Sequence, residues 1–150
     1  MTHYIRASRQ LTYEGAALAI AAAVAKAHEI GVPQNVSVVD AGGNLLAFAR
    51  MNGARLLAQR SSFSKAQTAA SLGDPTGHLP AQFGLELALA TGSRSINMVG
   101  GLPIILDGDL LGAVGVSSGA DDEDLAVAQA ARDAVLSALT RWIETPSVLP

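Results

Sequence analysis

Two turns in this sequence are too short to join anything but neighbouring antiparallel strands. In residues 37–55, "SVVDAGGNLLAFARMNGAR", the apolar runs 36–40 and 45–50 are separated by Ala41-Gly42-Gly43-Asn44. Glycine and asparagine tolerate the positive φ that a hairpin loop requires. Further on, Asp107-Gly108-Asp109 separates residues 102–107 from residues 110–117 with the same kind of signal. Parallel strands need a crossover of roughly a dozen residues or more, so the sheet built from these runs is antiparallel.

The rest of the chain supplies helices to cover that sheet. Thr12 is placed as an N-cap, with Glu14 in the first turn where the helix dipole favours an anion. Leu18, Ala21, Ala25 and Ile20, Val24, Ala27 recur at helical spacing, and Gly31 and Pro33 end a helix over residues 12–30. Arg6 and Arg9 before "AALAIAAAVA" mimic a secretory leader, but Glu14 and Lys26 bracket the run, which is also too short to span a bilayer. The expectation is a buried helix of a cytoplasmic protein with no membrane partner. Leu57, Phe63, Ala66 and Ala70 predict a second helix that stops at Gly73. "DPTGHLPAQFG" reads as an irregular loop, with a helical turn at residues 86–90 and a short strand at residues 97–99. Ser118 and Asp121 resemble a capping box, and Leu125, Ala128, Ala131, Val135 and Leu139 mark the buried face of a last helix. The order is helix, two strands, helical segments, three strands, helix. It predicts one α+β domain over residues 1–150, layered on an antiparallel sheet. Gly112 and Gly115 in the last strand allow close approach by a helix or a ligand.

Composition narrows the chemistry. The chain has 10 scattered Lys and Arg against 13 Asp and Glu, with no basic stripe, so nucleic acid is not an expected partner. With no cysteine there is no disulfide, thiolate nucleophile or cysteine-ligated metal. A chain that is 49% hydrophobic and only 15% charged is expected to cover part of its surface with other copies of itself. His3, His28 and His78 lack any metal-ligand spacing, so no metal site is expected from them. His28, near a helix end, reads as solvated or as a cap. His78, in the Pro/Gly loop, reads as a pocket-rim residue able to serve as an axial haem ligand or a general base. Gly100-Gly101 lacks the spacing of a dinucleotide fingerprint, and Ser61, Ser62 and Ser64 carry no triad signature. Lys65, in the small-residue stretch "SFSKAQTAASLG", is either a snorkelling surface lysine or one desolvated in a pocket, where it binds a carboxylate or moves a proton. Arg50 and Arg55 offer bidentate carboxylate recognition, and Asp40 is positioned to hold either.

The segments "LTYEGAALAIAAAVAKAHEIGVP", "VSVVDAGGNLLAFARMNGAR", "SKAQTAASLGDPTG" and "GGLPIILDGDLLGAVGVSSGADDEDLAVAQAA" together resemble the GlcG/HbpS family of haem-binding-like proteins. The resemblance covers roughly residues 10–140, as several linked motifs in order. It implies a central five-stranded antiparallel sheet flanked by helices, a profilin-like three-layer sandwich. It also implies homo-oligomers, from a dimer up to a tetramer or octamer, with pockets near subunit contacts. By motif, Asp40, Gly42 and Gly43 match "VDAGG", Arg50 and Arg55 the segment after it, Lys65 "KAxTAA", and Gly100 and Gly101 "GGxPI". The implied function is binding of haem or another anionic small molecule, with Lys65, Arg50 or Arg55 pairing its carboxylates and His78 or a methionine near the iron. The alternative is a cofactor-independent lyase or isomerase on a small aromatic acid, similar to the hydroxylaminobenzoate lyases. There Lys65 or His78 moves protons, and Asp122 or Glu123 comes from a neighbouring subunit. Before "GGLPI", many relatives lead into an aromatic strand. Here "LALATGSRSINMVGG" is polar, so a haem face would rest on aliphatic side chains and Met51 or Met98.

Overall fold

Both short turns close hairpins. β1 (Asn35–Asp40) pairs antiparallel with β2 (Leu45–Arg50), and β3 (Gly101–Leu106) with β4 (Asp109–Ser117). The computed structural model describes residues 4–144, so His3 lies outside the described residues. β1 also pairs antiparallel with β4, which gives the sheet order β2-β1-β4-β3. In the first turn the Asp40 carboxylate accepts from Gly42 N at 2.9 Å, Asn44 N at 3.0 Å and Asn44 Nδ2 at 3.1 Å, an Asx-type turn. In the second, Asp107 and Gly108 both take positive φ (51° and 83°), as a tight hairpin turn demands. Arg9 clasps that turn from outside, donating to Asp109 Oδ2 at 2.8 Å and to the Leu106 carbonyl at 2.9 Å.

The sheet therefore has four strands, not the five expected. Residues 97–99 have strand-like composition but their polar groups are taken by a loop. The Asn97 amide donates to Leu79 O at 2.9 Å and accepts from Leu79 N at 3.1 Å. The Thr76 hydroxyl donates to Met98 O at 2.5 Å and accepts from Gly101 N at 2.9 Å. The second difference lies in the same region, where α3 (Ala81–Ala90) is a ten-residue helix and not a loop with one turn. Pro80 stands just before its first residue, where a fixed φ suits helix entry. Gly84 inside it is a packing residue, because a Cβ there would lie 2.8 Å from the Asn97 side chain.

The other helices follow their sequence signals. α1 (Tyr13–Ile30) begins with Thr12 Oγ1 accepting from Gly15 N at 3.2 Å and ends at Gly31 with φ 70°. α2 (Ala58–Leu72) ends at Gly73 with φ 64°. α4 (Asp121–Glu144) does not use the expected Ser118–Asp121 box. Ser118 Oγ instead accepts from Arg55 N at 2.9 Å, while Glu123 and Asp124 accept from Ala120 N and Gly119 N at 2.7 and 2.9 Å. Among the described residues no helix is long and apolar enough to cross a membrane.

Strand alternation sorts the core into two layers of different character. Val36, Val38, Val114 and Val116, with Leu102 and Ile104, face α1 and α4. Val39 and Ala113 face α2 across Ala66, Ala69 and Ala70. On this second side the backbones nearly touch. A Cβ at Gly101 would lie 2.5 Å from Lys65 O, and one at Gly115 would overlap Ser62 O and lie 2.5 Å from Ala66 N. The buried hydroxyls of Ser37 and Ser62 join the two elements at 2.8 Å.

This seam predicts that Gly115→Ala is far more disruptive than an alanine at Gly108, whose Cβ position is open space. Gly108→Ala carries only the strain of a left-handed residue, about 1 kcal/mol, whereas overpacking at Gly115 should exceed about 3 kcal/mol. Urea unfolding followed by circular dichroism measures both. Equal losses would mean that α2 does not rest on β4.

Candidate functional site

The residues singled out by sequence separate into three places. The first is interior. Lys65, on α2, is the largest fully buried side chain of the described residues. Its Nζ donates to Asp124 Oδ2 at 2.8 Å and to the Val116 carbonyl at 2.9 Å, and Asp124 exposes only 4% of its side chain. Asp124 Oδ1 is occupied in turn by Gly119 N. Gly100, with φ 119°, makes room for the pair: a Cβ there would lie 3.1 Å from Lys65 Nζ and 3.0 Å from Asp124 Cβ. Lys65, Gly100 and Gly101 are thus gathered around one ion pair that joins α2, β4 and α4. The desolvation foreseen for Lys65 is present, and the partner is a carboxylate of the chain itself.

The second place is the first hairpin turn, where Asp40 stands at the opposite end of β2 from Arg50 and touches neither arginine. Burial pushes its carboxyl up, but hydrogen bonds from the Asn44 backbone, the Asn44 side chain and the Gly42 backbone outweigh that and hold it below the ordinary range. His78 is also apart, exposed in the loop before α3 and 2.9 Å from Asp74 Oδ2.

The third place is the end of the molecule where α1 and β2 finish and β1 and α4 begin. Two cavities meet there, sharing Gly31, Val32 and Pro33 as a wall. One, of about 510 Å³, is lined by His28, Arg50 and Met51 between Val24, Ala27 and Ala49. The other, of about 560 Å³, is lined by Arg55, Ser118, Gly119 and Glu123. The backbone between them is pinned: Met51 N donates to Gln34 O at 3.0 Å, Gln34 N to Met51 Sδ at 3.5 Å, and Asn35 Nδ2 to Arg55 O at 3.0 Å. Gln34 is fully buried with both side-chain amide atoms unpartnered, and Asn35 Oδ1 is likewise unpartnered. Such orphaned groups are uncommon in folded chains.

Arg50 and Arg55 are therefore brought to one end, on either side of a shared wall, while Lys65, Asp40 and His78 are not. His28 joins them although its sequence context suggested a solvated or capping role. The pairing of the end of α1 with the end of β2 is a tertiary contact across more than twenty residues, and nothing local announces it. An imidazole, a thioether and a guanidinium on an apolar-walled groove can seat a flat apolar ligand carrying an anionic group. Among the described residues no cluster of three His, Asp or Glu side chains is arranged to hold a bare metal ion.

Comparison with known proteins agrees with this architecture. Residues 11–133 match the family described as Haem degrading protein HbpS-like. A 15.0 kDa protein from the dhaT-dhaS intergenic region of Citrobacter freundii is 42% identical over 114 residues, 73% of this chain and 80% of its own. The crystal structure of Klebsiella pneumoniae protein ORFY superposes with a TM-score of 0.86 at 35% identity, covering 91% of this chain and 98% of ORFY. The crystal structure of a PduOC:heme complex superposes with a TM-score of 0.76 at 32% identity, covering 83% of this chain and 94% of PduOC.

Two outcomes test the charge assignments. Lys65→Met leaves Asp124 buried without a counter-ion and should cost about 3–5 kcal/mol in urea unfolding, with much of that loss recovered in Lys65→Met/Asp124→Leu. A loss below about 1 kcal/mol in the single variant would remove the structural role given to the pair. At Asp40 the folded carboxyl ionises more readily than the unfolded one, whose reference value is 3.8. Its contribution is fully present above that value and is lost as pH falls through the lower folded value. The stability gap between the natural chain and Asp40→Ala should therefore be flat near neutrality and narrow below about pH 4. A gap that widens on acidification would contradict the turn assignment.

Proposed function

Because this chain belongs to the HbpS-like (GlcG/HbpS) family, we propose that it binds haem, or another flat anionic small molecule, in the groove of His28, Arg50 and Met51. The observation that carries this reading is the meeting of those three side chains on one apolar-walled cavity of about 510 Å³, a usual size for a ligand pocket. The haem complex of PduOC, a close structural relative, supports it. Haem, when bound, would supply a redox-active iron centre. In this chain His28 is the nitrogen donor that would hold the iron. Arg50 would offer a two-pronged partner for a propionate, and Val24, Val32, Pro33 and Ala49 would supply apolar contact to the ring. Met51 has its sulfur turned to Gln34 N at 3.5 Å, so it serves as wall before it serves as a second ligand.

A binding role is favoured over the lyase alternative, because proton transfer by Lys65 would break its contacts to Asp124 and Val116, and His78 stands apart from both cavities that Arg50 and Arg55 line. We place the working form as a homo-oligomer. Phe83, Leu85 and Leu89 on α3, and Leu56 and Leu57 before α2, are all at least half exposed. A second copy is the simplest cover for that much apolar surface.

Titration with ferric haemin is the test. The natural chain should give a saturable, sharpened and shifted Soret band, and His28→Ala should bind at least about tenfold more weakly. A flat titration, or equal affinity in His28→Ala, overturns the assignment. Light scattering on the same samples should show a mass above that of one chain, and a single-chain mass overturns the oligomer.

A further inference from the structure

A second recess lies away from the His28 groove, between the first hairpin turn, α2 and α3. It is made of two adjoining cavities, about 560 and 360 Å³, which share Gly43, Gln67 and Arg94. Arg60 and Arg94 both line the smaller one. Among the described residues neither guanidinium makes an ion pair. No Asp or Glu lines either cavity, although acidic side chains outnumber basic ones 13 to 10 in the chain. Two unpaired cations at one recess repel each other unless an anion joins them.

Arg94 is placed there by a tight reversal. After α3, Gly92 and Ser93 both take left-handed φ (62° and 64°), and Ser93 N donates to Ala88 O at 2.7 Å. A left-handed serine is uncommon, and its cost is borne where it positions something. On the other side Gln67 Nε2 donates to Gly43 O at 3.1 Å, which ties α2 to the turn and sets the floor. The remaining walls are mixed: Phe63 beside Asn44 and Ser64 in the smaller cavity, and Leu72 and Leu87 beside Thr68, Ser71, Thr91 and Ser95 in the larger.

We propose that this recess is a second ligand site, for an organic carboxylate. Arg60 and Arg94 hold the carboxylate by charge-assisted hydrogen bonds. An apolar or aromatic body lies along Phe63 toward Leu87. The Phe63, Leu72 and Leu87 surfaces favour an organic acid over a bare inorganic anion, which would leave most of the recess unfilled.

Benzoate is the probe, titrated into the full-length protein with amide chemical shifts and calorimetry as readouts. Saturable binding is expected, with the largest shifts around Gly43, Gln67 and Arg94. Arg60→Ala and Arg94→Ala should each weaken it about tenfold, Arg94→Lys less, and the double variant should lose it. The double variant should still take up haemin as the natural chain does, which separates this site from the His28 groove. Both arginines are exposed, so these variants should fold, and unchanged circular dichroism melts check that. The proposal falls if benzoate gives no saturable shift or shifts residues around Arg50 instead. It also falls if the double variant binds as the natural chain does, if benzyl alcohol binds as tightly as benzoate, or if inorganic phosphate does.

Discussion

A lysine ammonium sealed away from water is tolerable only if donors and acceptors are matched around it, and that requirement organises the centre of this protein. Lys65 Nζ reaches from α2 to a strand carbonyl, Val116 O, and to a helix carboxylate, Asp124, while Asp124 reaches back to the backbone at Gly119. One charge thereby ties together three elements, one from each layer: α2, the sheet and α4. Removing water from both ions costs several kcal/mol each before their attraction returns it. The pair is therefore weak evidence of net stability and better evidence of register. Only one placement of α2 and α4 about β4 satisfies it. Gly100 belongs to the same requirement, since a Cβ there would lie 2.6 Å from Val116 O, the carbonyl that accepts from the ammonium, and 3.1 Å from the ammonium itself.

With the interior charge neutralised, four arginines that line cavities fall into two settings. Arg50 and Arg55 stand at the end where α1 stops and α4 starts, divided by Gly31–Pro33. Arg60 and Arg94 stand beside the first turn, toward the other end of the sheet. His28 accompanies the first pair and not the second. The two settings thus differ in kind: one offers a nitrogen donor beside a guanidinium, the other two guanidiniums with no donor for a metal. A neutral or cationic molecule gains little from either.

Much of the framework is legible in the sequence because its signals are local. A capped, Gly-terminated helical period gives α1, and Gly-rich turns flanked by apolar runs give both hairpins. Apart from the Ser118–Asp121 cap, the misread elements come from one region with one cause. In residues 74–100, side chains do the work that backbone ladders do elsewhere, and Asn97 and Thr76 have no periodicity to betray them. Pro80 and Gly84 look like helix breakers in a string of letters, yet one sits where a helix starts and the other where a neighbour presses close. The site was half legible. Arg50 and Arg55 stand next to a recognisable turn, whereas His28 acquires its setting from the packing of α1 against β2. Lys65 showed its unusual surroundings, but Asp124 lies 59 positions further on, beyond the reach of any spacing argument.

The glycine seam between α2 and the sheet sets how this domain can change over time. On the α1 and α4 side the layers are separated by Val, Leu and Ile side chains, so a lost methyl group can be answered by a gained one nearby. On the α2 side the spacing is set by main-chain atoms at Ser62, Lys65 and Ala66 against Gly101 and Gly115, and there is no volume to trade. Sequence drift is thereby confined to one half of the core. The half that carries Lys65, and that borders the Arg60 and Arg94 recess, keeps its shape whatever the other half does.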